Sequence, residues 1–211
     1  MSDVLAIVEH RRGELRPVSL ELLSAGREVA EELDGELHVA VIGGSVEKFA
    51  ERLNRDGVDR IHTVADGQEF NHDVYVDTVD ALCEVLAPAV LVAPHSVNSL
   101  DYVPAVAVAR EMPLVTDVLE IAIGDGDDEE ADAEEGEEGT DSEGGTENDT
   151  EQHLVATRGY YESKVTAPVT VDDWPVAITI RPGEWPTADG IEDTEVRAFD
   201  YSVAPEAIGS T

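Results

Sequence analysis

Three stretches of the sequence hold residues whose types and spacing suit binding chemistry. Gly43-Gly44-Ser45 follows one apolar run and precedes a helix-like one, a placement in which backbone N–H groups can hold an anion. It has neither the P-loop pattern nor G-x-G-x-x-G, and a tight turn into a helix, with Ser45 as its N-cap, would use the same residues. Pro94-His95-Ser96-Val97-Asn98-Ser99-Leu100-Asp101 lies just beyond a second apolar run. Polar groups past the carboxyl end of a parallel strand are where such sheets bind ligands. A helix start capped by Ser99 or Asn98 is the competing use. Gly43, Gly44, Ser45, Ser96, Asn98 and Ser99 are thus the candidate nucleotide-binding residues. Arg158-Gly159-Tyr160-Tyr161 is expected in a strand-to-strand bend. One arginine beside two aromatics reads either as a contact patch, since interfaces favour Tyr and Arg, or as a turn with exposed rings. Arg158, Tyr160 and Tyr161 are the candidate interface residues.

Other chemistries find no support. The six histidines stand at 10, 38, 62, 72, 95 and 153, and no two have metal-ligand spacing. Asp125, Asp127 and Glu129 resemble part of a calcium loop, but Glu130 stands where the sixth-position glycine belongs. Ser24, Ser45 and Ser96 lie in no G-x-S-x-G elbow. Cys83 has no Cys or His companion and reads as a core thiol. No metal site and no catalytic residue is expected.

The elements that must position these residues alternate from Met1 to about Ile123. Val4 to Val8 is a continuous apolar run, as a strand buried on both faces requires. Val18, Leu22, Leu23, Val29 and Leu33 follow at near-helical spacing, with Gly35 as the stop. Strands are expected at Leu37–Ile42, Asp59–Val64 and Ala89–Ala93. Helices are expected after Ser45, over Asp73–Leu86 and around Tyr102–Glu111. Repeated β-α units imply a parallel sheet with helices on both faces. After the acidic stretch described next, His153–Thr157, Lys164–Val171 and Val176–Ile180 read as three strands without helices between them, hence antiparallel. Glu195–Val203 is a candidate edge strand. The fold class is therefore α/β, three-layer, with a parallel sheet and a C-terminal antiparallel hairpin, as one domain over 1–211.

Charge dominates the composition. There are 48 acidic and 13 basic residues among 211, a net of −35. Residues 124–152 hold 15 of the acids, no Lys or Arg and no aliphatic side chain larger than Ala, so a disordered surface insert is expected there. The remainder still carries 33 acidic against 13 basic residues. Such self-repulsion strains a compact state in dilute buffer. It fades in molar salt, where the Debye length is about 3 Å, so a halophilic protein is expected. Nucleic acid is disfavoured as a partner, because little here would neutralise phosphates. One cysteine excludes an internal disulfide. No apolar run approaches the roughly 18 residues of a membrane span, and no leader is read at the N-terminus. A cytoplasmic protein, not integral to the membrane, is the expectation.

The order of several segments resembles a known family. Val4-Leu5-Ala6-Ile7-Val8-Glu9-His10, Gly13-Glu14-Leu15 and Leu20-Glu21-Leu22 resemble the opening of electron transfer flavoprotein alpha subunits. Ser96 through Ala109, Leu114-Val115-Thr116-Asp117-Val118, Arg158 to Lys164 and Ile180-Arg181-Pro182-Gly183 are similar to its later segments. The resemblance covers nearly all of the chain outside the insert. It implies an α/β first domain that acts as scaffold and dimer surface. It implies a beta-subunit partner, and FAD carried in the assembled complex, mainly on a second, separate flavin-binding domain beyond Thr211. Electrons would pass from dehydrogenases towards a membrane quinone reductase, with this chain a carrier subunit rather than a catalyst. Where the family has a Gly-Asn pair this chain has Ser163-Lys164. Where it often has a basic residue, this chain has Asn98-Ser99-Leu100. Contacts through those positions do not carry over. A stand-alone adenine-nucleotide-binding domain is the alternative. On the first reading Tyr160, Tyr161, Trp174 and Trp185 are candidate anchors, unless the tryptophans cover the domain's own core.

Overall fold

Val4–Ile7 forms β1, followed by a ribbon of two short antiparallel strands, β2 (His10–Arg11) and β3 (Glu14–Leu15), and by helix α1 (Val18–Glu32). The alternation continues through β4 (Leu37–Ile42), α2 (Glu47–Leu53), β5 (Arg60–Val64), α3 (His72–Leu86), β6 (Val90–Pro94) and α4 (Val97–Ala109). Five strands follow: β7 (Leu114–Gly124), β8 (His153–Tyr160), β9 (Val165–Val171), β10 (Val176–Ile180) and β11 (Glu195–Ala198). This computed structural model describes residues 2–67, 69–124, 152–161, 164–191, 194–203 and 208. The acidic insert from 125 to 151 lies outside the described residues.

Nine strands form one sheet in the order β11-β5-β4-β1-β6-β10-β7-β8-β9. Pairing is parallel from β11 to β7 and antiparallel through β7, β8 and β9. Alternation along β1 explains the three layers. Val4 and Ala6 join the core shared with α1 and α2, while Leu5 and Ile7 join the core shared with α3 and α4. All four are fully buried, which is why the run is continuously apolar.

The sheet corrects one expectation. Val176–Ile180 does not pair with β9 as a third antiparallel strand. It crosses back and inserts between β6 and β7, parallel to both. Its five residues are all buried, the condition of a central strand covered on both faces. The tail strand is shorter than expected and pairs parallel with β5.

Helix ends also differ. Asp34, at φ 52°, takes the left-handed position after α1. Gly35 is needed instead because a Cβ there would meet the Ser2 backbone oxygen. The N-cap of α2 is Val46, without a side-chain bond, and not Ser45. Helix α4 begins earlier than expected and is capped by Ser96, whose Oγ accepts from Ser99 N at 3.2 Å, not by Ser99 or Asn98. Exposed Val97 and Leu100 in its first turn break the amphipathic pattern, which hid that start. Both tryptophans pack against the domain's own core. Trp174 Nε1 donates to Gln152 O at 2.9 Å and Trp185 Nε1 to Glu28 Oε2 at 3.1 Å.

Candidate functional site

The carboxyl ends of the parallel strands gather three polar groups. The first surrounds Glu9, just past β1. Its carboxylate accepts from Ser96 Oγ, from Ser99 Oγ at 3.0 Å and from Arg16 Nη1 at 3.3 Å. Its backbone is held as firmly. Glu9 N–H donates to Ser19 Oγ at 3.0 Å, and Glu9 O accepts from Ser19 Oγ at 2.8 Å and from Arg16 N at 2.9 Å. Glu9 is 1% exposed. Burial, and after it the Glu9 charge, raise the phenols of Tyr75 and Tyr102. Tyr75 Oη stays protonated and donates to Ile42 O at 3.3 Å.

The second group lies on the β4 side of β1. Buried His10 has Nε2 at 2.7 Å from Ile42 O and stacks on Phe49 with centroids 4.9 Å apart. The ring presses on Gly43, where a Cβ would collide with it. Gly43 N–H donates to Val64 O at 3.0 Å, whereas Gly44 and Ser45 face solvent. Gly43-Gly44-Ser45 and Ser96-Asn98-Ser99 thus flank β1 on opposite sides, with Glu9 and His10 between them. A cavity of about 570 Å³ opens beside them, lined by His10, Arg11, Arg16, Phe70, Val97 and Asn98 among others.

The third group ties β6, β10 and β7 together. His95 Nδ1 meets Thr179 Oγ1 at 2.9 Å, and Asp117 N–H donates to the same hydroxyl at 3.1 Å. Asp117 is in the left-handed region at φ 63°, where the β7–β10 register shifts. Its carboxylate takes two bonds from Arg181, the Nε–H one at 2.8 Å. That guanidinium holds the Asp117 carboxyl below its ordinary range, aided by His95 and Arg158. Glu9, Thr179, Asp117 and Arg181 were not foreseen as site residues. The only signal was a charged or polar residue breaking or ending an apolar strand run.

The candidate interface residues lie at the far wing. Arg158 and Tyr160 are the end of β8 rather than part of a bend, and the guanidinium lies over the Tyr160 ring at 5.3 Å. Tyr161 begins the turn at φ 51° and is 81% exposed. Tyr160, 39% exposed, faces Val165 across the hairpin, itself 53% exposed. Tyr160, Tyr161 and Val165 thus lie at one end of the β8–β9 pair, strands that the sheet order separates from β1 and Glu9. Among the described residues, no helix is long and apolar enough to cross a membrane, and no three His, Cys, Asp or Glu side chains group as metal ligands.

Comparison with known proteins adds the rest. The family model described as electron transfer flavoprotein domain matches residues 4–204. The electron transfer flavoprotein subunit alpha of Methylophilus methylotrophus is 34% identical over 205 residues, covering 95% of this chain and 55% of that protein. The subunit alpha of Clostridium acetobutylicum is 29% identical over 184 residues, covering 85% and 47% respectively. The protein of the same name from Syntrophomonas wolfei is 26% identical over 185 residues, covering 87% and 49%. The chain spans about half the length of these curated relatives.

Proposed function

The chain belongs to the electron transfer flavoprotein domain family, and from that premise we propose that it is an alpha-subunit-type scaffold that docks a beta subunit. The observation that carries this reading is the family match from residue 4 to 204, which takes in the sheet and the four helices of the described residues. On this reading FAD belongs to the assembled complex and is held chiefly by a separate flavin-binding domain. The chain carries no catalytic residue of its own. It serves electron passage from dehydrogenases, in a salt-rich cytoplasm that its charge of −35 suits. The nucleotide-domain alternative has no comparable support: the hydroxyls it would use, on Ser96 and Ser99, already serve Glu9.

The wing is the surface we assign to the beta subunit. Tyr161 and Val165 are large apolar groups left in solvent beside Tyr160, and aromatic side chains anchor interfaces best. The visible spectrum tests the division of labour. In molar KCl the chain alone is expected to purify colourless, and to turn yellow only when co-purified with a beta subunit and a flavin-binding domain. One FAD bound per chain, without partners, contradicts the proposal.

A further inference from the structure

Strand β1 lies between β4 and β6, and the chain runs from it to β4 and β5 on one side before it crosses to β6 on the other, so the strand order reverses there. That divergence creates the crevice in which open α/β sheets take their ligands. Helix α4, 13 residues long, opens into the same place, and its N-terminus with capping hydroxyls favours negative charge. What fills the position here is the Glu9 side chain. Three donors converge on it, two from the start of α4 and one from the link between β3 and α1: Ser96 Oγ, Ser99 Oγ and Arg16 Nη1. Ser96 at once accepts from Ser99 N and donates to Glu9, so the cap of α4 and the carboxylate form one unit.

Burying a carboxylate is costly unless it is hydrogen-bonded and paired, and a chain with a net charge of −35 has no shortage of acids to leave in water. The arrangement therefore has the form of a bound ligand more than of a surface acid folded inward. We propose that Glu9 is a built-in anionic ligand. Its carboxylate takes the position that the phosphate or carboxylate of a bound molecule would occupy at the β1–β6 crevice, and it closes that crevice to such molecules. The adjoining cavity of about 570 Å³, with Arg11 and Arg16 on its wall, is left with its anion position already filled. This inference stands apart from the docking proposal, since its readout is phosphate binding and not flavin or subunit association.

Inorganic phosphate is the probe. It is titrated at constant ionic strength in molar KCl, with ³¹P line broadening and melting temperature as readouts. The wild-type chain is expected to show no saturable effect. Glu9→Ala is expected to melt lower and to recover saturably with phosphate. Its apparent affinity should exceed any wild-type binding by at least about tenfold. Glu9→Gln, which fills the same space, is expected to gain no phosphate site. If Glu9→Ala is unfolded in chloride, phosphate is expected to restore its fold, and failure to fold in both salts overturns the proposal. Saturable phosphate binding by the wild-type chain, or a folded Glu9→Ala that ignores phosphate, overturns it as well.

Discussion

The centre of the sheet and its antiparallel wing solve opposite problems. At the centre, β4, β1, β6 and β10 are buried on both faces, and their polar ends bond within the chain through Glu9, His10 Nε2 and Thr179. In the wing, β9 is largely exposed, and the β8–β9 turn leaves Tyr161 and Val165 in water. A parallel strand needs covering helices, and the covering comes from the same chain. An antiparallel hairpin can keep one face wet, and so it is free to meet another molecule. The difference places stability at the centre, and the docking proposal places recognition in the wing.

The largest expected contrast is therefore in stability. Leu5 of β1 is fully buried among Tyr75, Leu82, Leu91 and Tyr102. Leu5→Ala is expected to lose about 3 kcal/mol or more in a denaturant titration at fixed salt, through the cavity left behind. Tyr161→Ala, in the wing, is expected to stay within about 0.5 kcal/mol. A loss from Tyr161→Ala equal to that from Leu5→Ala would erase the distinction.

A pH titration separates the regions next. His38 and His62 form a buried pair on β4 and β5, Nδ1 to Nε2 at 3.0 Å. Burial, then His38, Arg197 and Arg60, push the His62 pKa down to about 4, against the opposing pull of Glu195. A depressed histidine leaves the folded state short of protons that the unfolded state binds. Its stability is thus fully present above the ordinary pKa of 6.5 and erodes as pH falls towards about 4. The loss over that window is on the order of 3 kcal/mol. His62→Phe is expected to flatten this part of the stability–pH curve relative to wild type. A parallel pair of curves would rule the buried pair out as its source.

The join between the regions carries a smaller effect. Arg181 on the strand-end of β10 clamps Asp117 of β7, and β7 then carries the wing. Asp117→Asn is expected to lose about 1–2 kcal/mol at neutral pH, since hydrogen bonds between charged groups are the strong ones and this pair is partly exposed. The folded carboxyl is held low, so the wild-type advantage is present at neutral pH and vanishes as pH falls through that lowered value. Smallest is the effect of the insert. Gly124 and His153 are cross-strand partners, so Asn-Gly in place of residues 125–151 closes, together with Gln152, a three-residue hairpin loop whose ends are already adjacent. The unfolding free energy from a denaturant titration at fixed high salt is expected to hold to within about 1 kcal/mol. A loss above about 2 kcal/mol would show that the segment contributes to the fold.

Much of the centre was legible because its strands are short continuous apolar runs. Leu37–Ile42 and Val176–Ile180 have the bounds read from the sequence. Partner choice was not legible. Nothing within Val176–Ile180 says that it lies beside Val90 rather than Val171, because that depends on the whole sheet. Helix caps were displaced by a residue or more, since Ser96, Asn98 and Ser99 are all good caps and only backbone direction selects Ser96. The polar cluster at the strand ends was half visible. Ser96, Asn98 and Ser99 stood out by type and position, but the acceptor that Ser96 and Ser99 share is Glu9, 87 residues from Ser96 in sequence. A lone acid after an apolar strand gives no hint of what will surround it. The wing was visible as composition, in the tyrosines, and its geometry was not: Arg158 turned out to face Tyr160 rather than solvent alone.

The most direct test of recognition through the wing is a calorimetric titration of this chain with an electron transfer flavoprotein beta subunit at rising KCl, for wild type and Tyr161→Ala. A beta subunit as acidic as this chain would be repelled by it at low salt, and molar salt screens that repulsion. Affinity is expected to rise with KCl. At each salt, Tyr161→Ala is expected to weaken it on the order of tenfold, about 1.4 kcal/mol, without lowering the melting temperature of the free chain. Affinity that falls steadily with KCl, or that is indifferent to Tyr161, would contradict recognition through the wing.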